Sequence, residues 1–183
     1  MSKIMRHRTL LLATCVLLGS FLRGRADSPT QLAKELEPLK AFVGKTWKGH
    51  FKNSTPEKPV VDGSKWERAM NGQAIRVLHS VNKGDYGGET LIVWNAKTKR
   101  IEFFYFTTAG YFTQGTVSIK DGKLLTHEDV TGNENGVTAV EATTELLPNG
   151  KMHLKARYFK KGEWTEGHEV TYELAPGEDV VFK

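Results

Sequence analysis

The stretch Lys151–Leu174, KMHLKARYFKKGEWTEGHEVTYEL, decides the fold class. Its first half alternates Met152, Leu154, Ala156 and Tyr158 against Lys151, His153, Lys155 and Arg157. Its second half alternates Trp164, Glu166, His168, Val170, Tyr172 and Leu174 against Thr165, Gly167, Glu169, Thr171 and Glu173. Lys161-Gly162 sits between them, and glycine supplies the positive φ that a tight hairpin demands. A period of two on both sides of such a turn is an antiparallel β-hairpin with one face turned to a core.

The same grammar extends upstream. Turn signals recur every 8 to 14 residues, at Asn71-Gly72, Asp121-Gly122 and Asn149-Gly150 among others. The pattern predicts strands over 46–52, 64–70, 73–81, 89–95 and 101–107. Five more follow over 111–119, 123–130, 137–147, 151–159 and 164–174. No segment after Phe42 has room for the helix of a parallel crossover, and Asn53–Asp62, with Pro56 and Pro59, reads as the longest loop and a flap. Ten sequential hairpins leave two exposed edges unless the sheet curls shut, so the expected fold is all-β, an up-and-down antiparallel barrel. The one helical candidate, Asp27–Phe42, has Ser28-Pro29 at its start and Leu32, Leu36, Leu39 and Val43 at helical spacing, interrupted by Pro38. It is expected to cover one end of the sheet.

The N-terminus reads differently. Lys3, Arg6 and Arg8 precede an apolar run from Thr9 to Leu22, and Gly24 and Ala26 stand at the −3 and −1 positions of a signal-peptidase site. That order is the secretory pattern, and the run is shorter than the roughly 20 residues of a membrane-spanning helix. The expected organisation is a leader at 1–26 and one barrel domain at 27–183, exported to the periplasm or medium, with no integral membrane segment after cleavage. The whole chain carries 26 basic and 21 acidic residues, net +5. The leader holds five of the basic residues and none of the acidic ones, so the remainder is neutral and a nucleic-acid partner is not expected. The single cysteine, Cys15, leaves with the leader, which excludes disulfides, thiol nucleophiles and thiolate ligands from the mature chain.

Inward positions define the candidate site. His168, Tyr172, Trp164 and Tyr158 come from the last two strands, and Ile75, Val77, His79 and Val81 share a face on the third. Trp66 and Arg68 share a face with Ser64 and Met70, and Phe103 and Tyr105 form one side of a doubly aromatic strand. Polar side chains inside a barrel either satisfy one another or line a solvated pocket. Metal-ligand spacings, a Gly-x-Ser-x-Gly elbow and phosphate loops do not occur, and Tyr86-Gly87-Gly88 reads as a turn. Glu141 and Glu145 share a face about 13 Å apart by strand rise, too far for a carboxylate pair in glycoside hydrolysis.

The segment Leu36–Gly49, LEPLKAFVGKTWKG, resembles the opening of lipocalin-like (calycin) barrels, in which a short helix leads to a glycine and a first-strand tryptophan closes the barrel end. The layout from Trp66 to Tyr172 is similar to bacterial lipocalin-like domains of unknown function. The resemblance implies that Trp47 packs the barrel floor. It implies a small, mostly apolar ligand held inside, with aromatics supplying contact area and His168, Arg68 or Tyr105 fixing its orientation. The Trp-x-Gly opening is also similar to haem-binding nitrobindin-type barrels, where His168 would match the iron-binding histidine, although His50 stands where a third glycine is usual. A further alternative is a small barrel isomerase, lyase or cyclase in which His168 moves protons. The residues themselves name no cofactor and no oligomeric state.

Overall fold

The structure is a computed structural model and describes residues 31–183; the leader and the start of the helical candidate lie outside that range. Ten strands run in order: β1 (Lys45–Phe51), β2 (Val61–Ala69), β3 (Ala74–Val81), β4 (Tyr86–Asn95), β5 (Arg100–Thr107), β6 (Phe112–Lys120), β7 (Lys123–Val130), β8 (Val137–Leu146), β9 (Met152–Lys160) and β10 (Glu163–Leu174). Each pairs antiparallel with its neighbours in the chain, and β1 pairs with β10 to close the barrel. Closure satisfies every strand edge, as the short connections require. Asp121 and Gly122 take φ values of 52° and 75°, and Lys161 and Gly162 take 53° and 86°, the backbone of two-residue hairpins.

Before β1 the chain makes a 3-10 helix over Lys34–Leu39. Pro38 explains the shortened form: it has no N–H, and its ring opposes the carbonyl four residues back. Leu36 and Leu39 are fully buried, and with Leu32 and Phe42 they plug one end of the barrel. Trp47, only 1 % exposed, joins them with Ile75, Ile92, Phe103, Leu124 and Met152. This half of the interior is a filled apolar floor. Among the described residues no helix is long and apolar enough to cross a membrane.

Beyond shifts of a residue at strand ends, two strand starts and one facing differ from the sequence expectation. β2 starts at Val61 rather than Ser64, so Asp62 belongs to a strand and not to the flap. β4 starts at Tyr86, so Tyr86-Gly87-Gly88 is strand rather than turn. In β10 the strict alternation breaks. Arg157 faces Glu166 and Lys155 faces Glu169, which sets Gly167 and His168 together opposite Ala156. One extra residue in a strand reverses the facing of everything beyond it. His168, Val170 and Tyr172 therefore point inward, whereas Trp164 and Glu166 point out. Glycine is required at the bulge, because a Cβ on Gly167 would stand 2.8 Å from the Ala156 carbonyl oxygen.

Candidate functional site

Opposite the plugged floor, near the 52–60 loop, the inward faces are polar and aromatic. The register places Phe51, Asp62, His79, Tyr86, Tyr105, Thr113, Glu128, Tyr158 and His168 on these faces. Glycines give the rings room. A Cβ at Gly88 would meet the Tyr105 ring at 2.5 Å, and one at Gly49 would meet the Tyr172 ring at 2.4 Å.

A hydrogen-bonded chain runs along one wall. The Tyr172 hydroxyl donates to Asp62 Oδ2 at 2.9 Å. Asp62 Oδ1 lies 2.9 Å from His79 Nδ1, His79 Nε2 lies 2.7 Å from the Tyr105 hydroxyl, and the Tyr105 and Tyr86 hydroxyls are 3.0 Å apart. Asp62 is 2 % exposed, and both its oxygens are occupied. A carboxylate only accepts, so the proton between Asp62 and His79 belongs on Nδ1. Nε2 of the neutral ring then accepts from Tyr105. When His79 takes a second proton the direction reverses: Nε2 donates to Tyr105, and Tyr105 donates to Tyr86. Burial is the first cause that pushes the Tyr105 and Tyr86 phenols far above their ordinary range, so both remain protonated donors. Burial also raises Tyr172, with the Asp62 charge adding to it.

Across the chamber the Tyr158 hydroxyl lies 2.6 Å from His168 Nδ1, and Phe51 packs near the same imidazole with ring centres 5.9 Å apart. Desolvation lowers the His168 pKa below 6.5; the Asp62 charge opposes that shift and the His79 charge adds to it. Glu128 faces the same space with its pKa raised by burial, partly offset by a hydrogen bond from Thr113 Oγ1 to its Oε1. His79 points inward yet keeps 24 % of its side-chain surface accessible. A side chain inside a closed barrel can keep such surface only beside interior space or an opening.

The sequence candidates divide accordingly. His79, Tyr105, Tyr158, His168 and Tyr172 come together in or at the edge of the chamber. Phe103 and Trp66 face inward but belong to the apolar floor; Trp66 packs on Phe42 with ring centres 5.2 Å apart. Arg68 is at the floor too, where its Nε donates to the Gln31 carbonyl at 2.6 Å. Trp164, which strict alternation would have turned inward, lies on the outer wall beyond the bulge, 37 % exposed, beside Phe159 and with Arg157 over its ring at 4.5 Å. Asp62, Tyr86, Thr113 and Glu128 were missed. The signal that could have found Asp62 is its even spacing from Ser64, Trp66 and Arg68.

A groove of about 660 Å³ also lies on the outer wall over β6–β9. Its main charges are already paired across strands, His127 and Arg157 with Glu141, and Lys123 with Glu145. The polar end of the interior, where inward-facing His79 stays accessible and Glu128 Oε2 lacks a protein partner among the described residues, is the better candidate. No family model matches the chain, and no curated protein matches it significantly.

Proposed function

We propose that this protein is an exported, lipocalin-like barrel whose chamber binds a small amphipathic molecule. The observation that carries the reading is the division of the interior: an apolar floor sealed by Leu36, Leu39 and Trp47, and above it an aromatic and polar chamber in which His79 remains accessible. Binding sites combine an apolar lining with a few placed polar groups. Phe51, Tyr86, Tyr105 and Tyr158 provide the lining, and Asp62, His79, His168 and Glu128 provide the polar groups. The mostly apolar ligand expected from the sequence suits the rings but would leave Glu128 Oε2 and His168 Nε2 unsatisfied, at about 1–3 kcal/mol each; the ligand therefore carries hydrogen-bonding groups of its own. Export rests on the leader, and a secreted product beginning at Asp27 tests it. Native mass spectrometry of that product tests the binding: a mass adduct lost on denaturation supports it, and repeated recovery of the bare chain speaks against it.

A second reading, a small proton-transfer enzyme, is favoured by the Asp62–His79–Tyr105 relay. In it Asp62 fixes the His79 ring, Tyr105 gives its hydroxyl proton to a substrate carbonyl, and His79 replaces that proton from Nε2–H. The proton-moving residue is then His79, with His168 facing it from across the chamber. Deuterium exchange into small ketones, followed by NMR and abolished in His79→Gln, supports this reading; no exchange above buffer removes it.

Haem fits the chamber poorly. His168 has Nε2 left once Nδ1 meets Tyr158, but an apolar macrocycle would desolvate Glu128 without offering its Oε2 a partner.

A further inference from the structure

The sign of the charges inside the barrel narrows the ligand class. On the inward phase of the strands, the chamber carries two carboxyl groups, Asp62 and Glu128, and no lysine or arginine among the described residues. The cations on that phase stand at its ends. Lys45 is at the floor, where its Nζ donates to the Ala41 carbonyl, and so is Arg68, held by Gln31. Lys160 ends β9 at the mouth. His79 and His168 are the inward groups there that can gain a positive charge; both His79 nitrogens already face Asp62 and Tyr105, and burial lowers the pKa of His168, whose Nδ1 faces Tyr158.

The two carboxyl groups differ in what they leave free. Asp62 has both oxygens engaged, by His79 and Tyr172. Glu128 receives one hydrogen bond, from Thr113 to Oε1. Its Oε2 has no protein partner among the described residues, and the side chain is only partly buried. The strand register sets Glu128 opposite Gly115 and Val140, and Tyr105 and Tyr158 face the same interior from the next strands out, opposite Thr113 and Val140. Glu128 is thus a carboxyl with one open oxygen, sharing the interior with Tyr105 and Tyr158, in a space with no lysine or arginine among the described residues.

We propose that Glu128 and the surrounding tyrosines form a subsite for the ammonium group of a small aromatic amine. The reading rests on the chamber being a ligand site, as proposed above. An ammonium supplies the charge-assisted partner that Oε2 lacks, and aromatic faces attract cations over distances of up to about 6 Å. Anionic ligands are disfavoured by the same charges. Burial alone favours the protonated carboxyl, so a bound cation drives Glu128 to ionise, and its proton leaves to the buffer.

The test is calorimetric titration of the unaltered chain at pH 6 with 2-phenylethylamine, 2-phenylethanol and 3-phenylpropanoate, in two buffers of different ionisation enthalpy. The proposal expects the amine to bind at least about tenfold more tightly than the alcohol, with release of a proton from whatever fraction of Glu128 is protonated at that pH, and the acid to bind weakest. Glu128→Gln should lower amine affinity by about tenfold or more and leave the alcohol unchanged, in the range of one charge-assisted hydrogen bond. Equal binding of amine and alcohol, or tighter binding of the acid, overturns the amine subsite while the chamber reading stands. If none of the three binds, both fall. The comparison of the three ligands needs no variant, so a misfolded Glu128→Gln would not rescue the proposal.

Discussion

His79 Nδ1 and Asp62 Oδ1 lie 2.9 Å apart, on facing strands β3 and β2, with Tyr172 closing the other Asp62 oxygen from β10. The carboxyl thereby ties three strands across the β1 seam, where the barrel closes. Removing it leaves a buried tyrosine hydroxyl and an imidazole nitrogen without partners. Asp62→Ala should destabilise the barrel by about 2–4 kcal/mol, from two lost hydrogen bonds and the groups they orphan. Tyr172→Phe should cost about 1 kcal/mol. Urea unfolding measures both, and a double-mutant cycle without coupling between Asp62 and Tyr172 would show that the bond does not contribute.

The acid limb of stability belongs in part to His168. Its folded pKa is below its ordinary 6.5, chiefly through burial, so below that pH the unfolded chain binds the proton more readily than the native one. Stability should rise with pH between the folded value and 6.5, then level off, as far as this residue is concerned. His168→Phe should flatten that limb. An imidazole that titrates by NMR at or above 6.5 contradicts the burial.

Glu128 acts with the opposite sign. Its folded pKa is raised above 4.5 by burial, so the native state holds the proton more tightly than the unfolded chain. Its contribution is fully present below 4.5 and is lost as pH rises through the folded value. Glu128→Gln should therefore gain stability relative to the parent at neutral pH and lose that advantage below pH 4. Parallel pH profiles for the two proteins would rule out a buried, raised carboxyl.

Much of this architecture is legible in the chain. Period-two alternation and the positive-φ turn pairs locate the strands, and Trp47 with Leu36 and Leu39 marks the floor. Asp62 escapes notice because it follows Pro56 and Pro59 and precedes Gly63, a composition that reads as loop, although hydrogen bonding to β1 and β3 draws it into a strand. Glu128 escapes because His127, Glu128 and Asp129 are polar on both phases, so alternation has nothing to separate. Trp164 misleads because the bulge that turns it outward leaves only Gly167 as a trace, and a glycine in a strand has several explanations.

That bulge predicts a fluorescence pattern. Trp47 is sealed in the floor and Trp164 lies on the outer wall. Trp164→Phe should remove the most acrylamide-quenchable, red-shifted part of the emission while leaving ligand binding unchanged. If it weakens binding instead, the facing assigned to β10 is wrong.

Gly49 tests the packing at the boundary between floor and chamber. Alanine there would bring its Cβ to 2.4 Å from the Tyr172 ring and 2.7 Å from Val170. The overpacking should cost about 1–3 kcal/mol and displace Tyr172 from Asp62. A Gly49→Ala variant as stable as the parent would mean that the ring does not lie over β1.

The central claim is that the chamber, and not the floor or the outer groove, receives a small molecule. Isotope-edited aromatic NMR during titration with 2-phenylethylamine and 2-phenylethanol tests it most directly. The account predicts that the rings of Tyr86, Tyr105, Tyr158 and His168 shift together with one ligand or both, while those of Trp47 and Trp66 stay in place. Shifts confined to His127 and His153 on the outer groove, or no shifts with either compound, would contradict it.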